Sequence, residues 1–335
     1  MIISTTFALT LLLIAVNAAP SSENEDLLVV TKDFFSEDII KYTSTHDIVR
    51  LVVPLNGLNF DDDSDNFSTE NDDGSALIFF VEADIDDKGN KDYKGLYVFK
   101  KNVATKLLEN GRGAAPVNDD SKNVFLAATD GLYVYNVKEN KAEKYGTLND
   151  NIIDIEKENS SSVLYIITAN HELYKVTEEG TKKTKVEGVG DAQRVVLDYS
   201  DNIYYYGEDK QPYVINAEGV KKISGLPENP SSVTLIKPPF VLDDCVAFVS
   251  DDKGYYLYAN GTSRFTEFVL EAKPTAYGIE ATLVQYFAYN KRIYEINIVA
   301  LILGEMKNSL DLGFLKDKKE SVKSLATRSR SQLHP

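Results

Sequence analysis

Cysteine, histidine, methionine and tryptophan are nearly missing from this sequence. Its 335 residues include one Cys, three His, two Met and no Trp. A single cysteine excludes an intramolecular disulfide, so stability has to come from core burial. Cys245 sits in Cys245-Val246-Ala247-Phe248-Val249 and reads as a small buried hydrophobe. With only His46, His171 and His334 available, a histidine-based hydrolase has little to build on. There is no H-E-x-x-H, no G-x-S-x-G, no P-loop and no Cys/His cluster, so neither a catalytic residue, a metal nor a cofactor is expected.

Positive charge is also scarce. Lys and Arg total 36 against 52 Asp and Glu, a net charge of -16. Such a surface repels phosphate backbones and anionic bilayers, so neither nucleic acid nor membrane is an expected partner. Long apolar runs are lacking as well. Phe7 to Val16 is too short to span a bilayer, and with the small residues at Val16-Asn17-Ala18 it reads as a secretory signal over residues 1–18. Three glycosylation sequons, at Asn66, Asn159 and Asn260, agree with an extracellular destination.

What the chain does have is tyrosine, 20 of them, in a recurring hexapeptide typified by Gly131-Leu132-Tyr133-Val134-Tyr135-Asn136. Aligned copies place Tyr97, Tyr133, Tyr174, Tyr213, Tyr256 and Tyr294 at spacings of 36, 41, 39, 43 and 38. A period near forty marks a repeat architecture. A second β-rich run precedes each copy across turn residues such as Asp130-Gly131, Asn170-His171 and Asn290-Lys291. A third run lies ahead of each hairpin and a more polar fourth run behind, as at Ala142 to Leu148. The fold expected is all-β, a six-bladed β-propeller of four-stranded antiparallel blades over residues 19–304. Leu27 to Phe35 is expected to supply the outer strand of the last blade and close the ring.

Two stretches stand outside the repeat. Asp61 to Asp73 is an acidic run that reads as a solvated loop. Asp84-Ile85-Asp86-Asp87-Lys88-Gly89 opens like an EF-hand loop, but the twelfth position is Gly95, so the closing Glu is missing. Residues 305–335 form a tail expected to be disordered from about 316. From Lys316 onward it carries six basic and two acidic residues and no aromatic.

Propellers bind ligands where loops lead into the innermost strands and where the middle hairpins turn. The alignment nominates His46, Asp47, Arg112, Asn149, Asn151, Gln193, Arg194, Ser232 and Tyr277, with hairpin tips Asp130, His171, Asp209, Asp252 and Asn290. Within that set the expected ligand-binding residues are Arg112, Arg194, His171, Gln193, Tyr277, Asn149 and Asn151. Gly111-Arg112-Gly113 reads as a loop between blades. A calcium-dependent lactonase of the gluconolactonase type is the alternative, with Asn149, Asn151, Asp191 and Asn229 as oxygen donors. A protein-interaction propeller is a third reading.

The segments "NVFLAATDGLYVYN", "VVLDYSDNIYYYGEDKQPYVIN" and "KRIYEIN" resemble the insect ommochrome-binding proteins, a secreted carrier family of moths and butterflies, over residues 27–297. The resemblance implies a monomeric haemolymph protein that binds a flat, tryptophan-derived aromatic pigment bearing carboxylates. Tyrosine faces would stack on such a ligand, and Arg112 or Arg194 would pair its carboxylate.

Overall fold

Every aligned tyrosine occupies the third strand of an antiparallel sheet. The structure, a computed structural model, describes residues 27–54, 77–117, 123–240, 242, 244–280 and 284–297. The signal segment, the Asp61–Asp73 run with Asn66, and the C-terminal tail lie outside the described residues. Two strands precede the repeats, β1 (Leu28–Val30) and β2 (Ile40–Thr43). Blade 1 then comprises β3 to β6 (Asp47–Val52, Ile78–Ile85, Lys91–Lys100, Val103–Leu108), and blade 2 β7 to β10 (Gly111–Pro116, Val124–Ala128, Gly131–Asn136, Lys141–Lys144). Blade 3 holds β11 to β14 (Ile152–Lys157, Leu164–Thr168, Leu173–Thr177, Lys182–Lys185), and blade 4 β15 to β18 (Arg194–Leu197, Ile203–Tyr206, Pro212–Asn216, Gly219–Lys222). Blade 5 is β19 to β22 (Val233–Ile236, Cys245–Ser250, Lys253–Tyr258, Ser263–Leu270), and blade 6 adds β23 to β25 (Ala276–Gly278, Val284–Tyr289, Arg292–Asn297).

The six sheets stand in a ring, a six-bladed β-propeller, and the sequence expectation holds. Its core is divided among the six seams between neighbouring blades. Each seam has its own apolar cluster, from Val49, Phe79, Leu96 and Leu126 between blades 1 and 2 to Ile48, Phe80, Tyr286 and Ile293 between blades 6 and 1. Strands buried on both faces in this way carry few polar side chains, which is why the second strands read Ile-Phe-Phe-Val and Leu-Tyr-Ile-Ile.

The recurrent tyrosine has a cross-strand reason. In blades 1 to 5 it sits opposite a basic residue of the outer strand: Lys106, Lys144, Lys185, Lys222 and Arg264. Lys144 Nζ lies 4.5 Å from the Tyr133 ring centroid, and Lys106 and Arg264 lie over Tyr97 and Tyr256. The exposed outer strand thereby keeps charge against edge pairing while its lysine stems cover the ring. The glycine before the tyrosine is equally specific. Gly131 has φ +123°, and a Cβ there would lie 2.1 Å from the Leu148 carbonyl oxygen of the strand-to-blade connection. Gly95 repeats the arrangement with φ +133° against the Leu108 carbonyl. Gly131→Ala is therefore expected to cost ~2–3 kcal/mol, read as a lower urea midpoint. An unchanged midpoint would contradict this account of the repeat.

Ring closure departs from expectation. The outer strand of blade 6 is β2, antiparallel to β25 with Ile40 opposite Tyr294, not the Leu27–Phe35 segment. Within that segment, β1 adds a fifth, parallel strand to blade 5 against Phe268 to Leu270. The chain then crosses the seam between blades 5 and 6, where Phe35 stacks on Tyr289 with ring centroids 4.5 Å apart. Under this crossing lies an apolar cavity lined by Val30, Phe34, Leu270, Ile279 and Phe287, among others. The clasp continues onto blade 1, where Ser44 Oγ donates to Glu82 Oε1 at 2.6 Å.

Candidate functional site

The innermost strands bring charge to the axis. Blades 1, 2 and 3 each carry a register shift near the start of that strand, at Ile48/Arg50, Gly111/Gly113 and Ile152/Asp154. Such bulges re-aim side chains at the rims of barrels and rings. Gly111-Arg112-Gly113 is accordingly the bulged start of strand β7 rather than a loop between blades, and Arg194 and Tyr277 are strand residues as well.

Asp154 is the hub. It is 1% exposed, and its Oδ1 lies 3.1 Å from Arg50 Nη2 and accepts from Arg194 Nη1 at 2.5 Å. Its Oδ2 accepts the Val195 amide at 2.9 Å. One carboxylate is thus shared by two arginines from blades 1 and 4. Burial, then the nearby Arg194 charge, lowers the Arg50 guanidinium from its ordinary range.

Arg112 completes the cationic rim. Its guanidinium carbon lies 3.7 Å from the Tyr93 ring centroid, and its Nε is buried without a hydrogen-bond partner. Among the described residues it makes no ion pair within 4.0 Å, although the Asp92 carboxylate acts on it from farther off. Tyr93 comes from the long blade 1 hairpin, whose turn is fixed by Asp86: its carboxylate accepts from the Lys88 and Asn90 amides and from Asn90 Nδ2. The EF-hand-like aspartates are engaged here, Asp86 in the turn and Asp84 with His46 Nδ1 and Lys94. Lys91, on the same hairpin, is brought down to about 8, first by desolvation and then by the Arg50 and Arg194 charges. Tyr206 joins them from blade 4, its hydroxyl raised by burial against the pull of the same two arginines.

Deeper in the channel the charges alternate. Glu156 accepts from Lys237 Nζ at 3.2 Å, with both side chains below 10% exposure. Glu280 follows the inner strand of blade 6. Its carbonyl accepts the Phe240 amide at 3.0 Å. A cavity here is lined by Arg50, Glu156, Arg194, Lys237, Tyr277 and Glu280.

Of the nominated residues, Arg194 and Tyr277 line that cavity, Tyr277 packing edge-on to Phe287 at 5.8 Å, while Arg112 stands over Tyr93 and is not among the lining residues. His171, Gln193, Asn149 and Asn151 do not line that cavity. His171 turns the blade 3 hairpin with φ +60°, its carbonyl accepting the Ala192 amide. Gln193 Nε2 donates to Asp191 at 3.4 Å, and Asn149 and Asn151 are exposed. Asp191 and Asn229, nominated as calcium donors, are exposed loop residues as well. Among the described residues, no group of three or more His, Cys, Asp or Glu is placed to hold a metal ion. Arg50, Lys91, Tyr93, Asp154, Glu156, Tyr206, Lys237 and Glu280 were not nominated. A signal for several of them exists, namely a charged residue inside an otherwise apolar inner strand, as in Ile-Ile-Asp-Ile-Glu.

Among the described residues no helix is long and apolar enough to cross a membrane. No family model matches the chain, and no curated protein matches it. Solved structures do. One is PorZ, a bacterial surface component of the type-IX secretion system of Porphyromonas gingivalis, 11% identical with a TM-score of 0.45. The match covers 76% of this chain and 37% of that one. Another is the extracellular domain of a one-component system from B. thetaiotaomicron, 9% identical with a TM-score of 0.47, covering 78% of this chain and 42% of that one. The chain thus spans about two-fifths of the length of either.

Proposed function

We propose that this propeller is an extracellular carrier whose channel mouth binds a small planar aromatic carboxylate, of the ommochrome pigment type. The observation that carries the reading is Arg112, a cation without an ion-pair partner among the described residues, stacked on Tyr93. Tyr93 also acts on Arg50, which shares the single carboxylate of Asp154 with Arg194. Three guanidiniums gather there on a chain whose net charge is -16, with Asp154 shared by two of them, Asp92 acting on Arg112 and Glu156 on Arg194. Such a cluster, with Lys91 on the same strand as Tyr93, suits an anion, and Tyr93 and Tyr206 offer ring faces to a flat ligand.

The channel floor, lined by Arg50, Glu156, Arg194, Lys237 and Glu280, suits the polar groups of such a ligand. An extracellular setting fits the Asn260 sequon, whose exposed side chain accepts from Thr262 N and Oγ1 through Oδ1. Asn159, by contrast, commits its amide nitrogen to Asp198 O and Asp201 Oδ1, so Asn260 is the better placed acceptor.

Titration of the mature chain with a xanthommatin-type pigment, followed by the visible spectrum, tests the reading. Saturable binding is expected that survives EDTA. Arg112→Met is expected to weaken it tenfold or more while leaving the urea midpoint in place. A spectrum that never responds to the wild-type protein would overturn it.

A further inference from the structure

The mouth accounts for the arginines but not for the floor of the channel. Glu280 is 7% exposed, and its Oε2 is sealed from solvent with no hydrogen-bond partner among the described residues. A buried carboxyl oxygen left alone in this way is costly, and few remain so without a function or an absent partner. The groups that face it come from three other blades and its own: Lys237 after β19, Glu156 on β11, Arg194 and Tyr199 on and after β15, and Tyr277 on β23. Lys237 is already held by Glu156. Arg194 is held by Asp154. The Tyr199 hydroxyl donates to Pro238 O at 3.3 Å. These donors have partners of their own, and Glu280 lines the cavity with Oε2 left without a hydrogen bond among the described residues.

We infer that Glu280, in its protonated form, donates a hydrogen bond to a carbonyl oxygen of the bound ligand at the floor of the channel. The preferred ligand class is then a planar aromatic acid that also carries a ring carbonyl. The inference rests on the reading of the mouth for the carboxylate and the ring, and adds the second polar anchor. Desolvation raises the Glu280 carboxyl to about 8, which keeps the proton in place at neutral pH despite Lys237 nearby. The neutral carboxyl suits an uncharged acceptor, and the ionised form repels a second carboxylate at depth.

Two probes separate the anchors: chromone-2-carboxylate, which has the ring carbonyl, and naphthalene-2-carboxylate, which lacks it. In the wild type at pH 7 the chromone acid is expected to bind about tenfold more tightly. Glu280→Gln retains a donor and is expected to keep this ratio. Glu280→Met is expected to bring it to about one. Between pH 7 and pH 9 the ratio should decline in the wild type and hold in Glu280→Gln, and any loss from Lys91 deprotonation cancels because it affects both acids. Equal affinities at pH 7, or a ratio preserved in Glu280→Met, would overturn the inference while leaving the mouth intact. If neither acid binds, the mouth reading has failed and chromone itself probes the floor. Saturable chromone binding that disappears in Glu280→Met then supports the anchor, and its absence sinks it.

Discussion

Asp154→Ala is expected to lower folding stability by about 3–5 kcal/mol, the largest single-residue effect at the axis. The substitution leaves the Arg50 and Arg194 guanidiniums facing one another with the shared carboxylate gone. It also strips the Val195 amide of its acceptor. Burial already works against Arg50, and Arg194 adds to that penalty. The cost is thus the exposure of an uncompensated pair of buried like charges, not the loss of an attractive contact of that worth. A second comparison isolates the cause. Replacing all three members together, Arg50→Met with Asp154→Leu and Arg194→Met, removes the charges as a set and is expected to recover most of the loss. Urea unfolding of the three proteins measures it. A triple variant as unstable as Asp154→Ala would show that packing, and not charge, governs the site.

Glu280 yields the second large effect, on stability against pH. An unfolded glutamate titrates near 4.5 and the folded one at about 8, so between those values the folded state binds the extra proton. Stability from this group is fully present below pH 4.5 and is lost as pH rises through 8. The displacement corresponds to roughly 3–5 kcal/mol across the interval. Lys91 acts with the opposite sign in a higher window. Its folded value of about 8 lies below the ordinary 10.5, so stability recovers as pH climbs between the two. Denaturation from pH 5 to 9 is expected to show a declining profile in the wild type and a flatter one in Glu280→Gln. Parallel profiles for the two proteins would refute the burial of an unpaired Glu280.

The architecture was legible because each blade repeats one local solution. A tyrosine on the third strand faces a lysine or arginine on the fourth in five blades, and that chemistry recurs at a countable period. Ring closure was less so. Leu27 to Val30 is the more apolar run, yet Ile40–Thr43 takes the blade 6 edge, because the partner of an edge strand is set by seam packing that no local pattern records. Phe35 and the rings of Phe287, Tyr289 and Tyr294 fix where the crossing runs.

The site was legible by half. Arg112 and Arg194 stand out as cations on an acidic chain; Arg194 lines the channel cavity and Arg112 stacks on Tyr93. Asp154, Glu156 and Glu280 are carboxylates among 52 acidic residues, and only their position on or beside inner strands distinguishes them. Reading Arg112 as a loop residue missed the bulge, since two glycines around an arginine suggest a turn until the neighbouring blade shows a strand. Lys91 and Tyr93 were out of reach for another reason: the long blade 1 hairpin carries them to Arg50 and Arg112, and hairpin length does not announce where a tip will lie.

The most direct test of the anion-receptive mouth is a crystal structure of the mature chain with a planar aromatic carboxylate bound. The account predicts the ligand carboxylate roughly 3 Å from the Arg112 guanidinium, with its ring beside Tyr93. A ligand found instead in the apolar cavity between blades 5 and 6, with Arg112 still untouched, would contradict it.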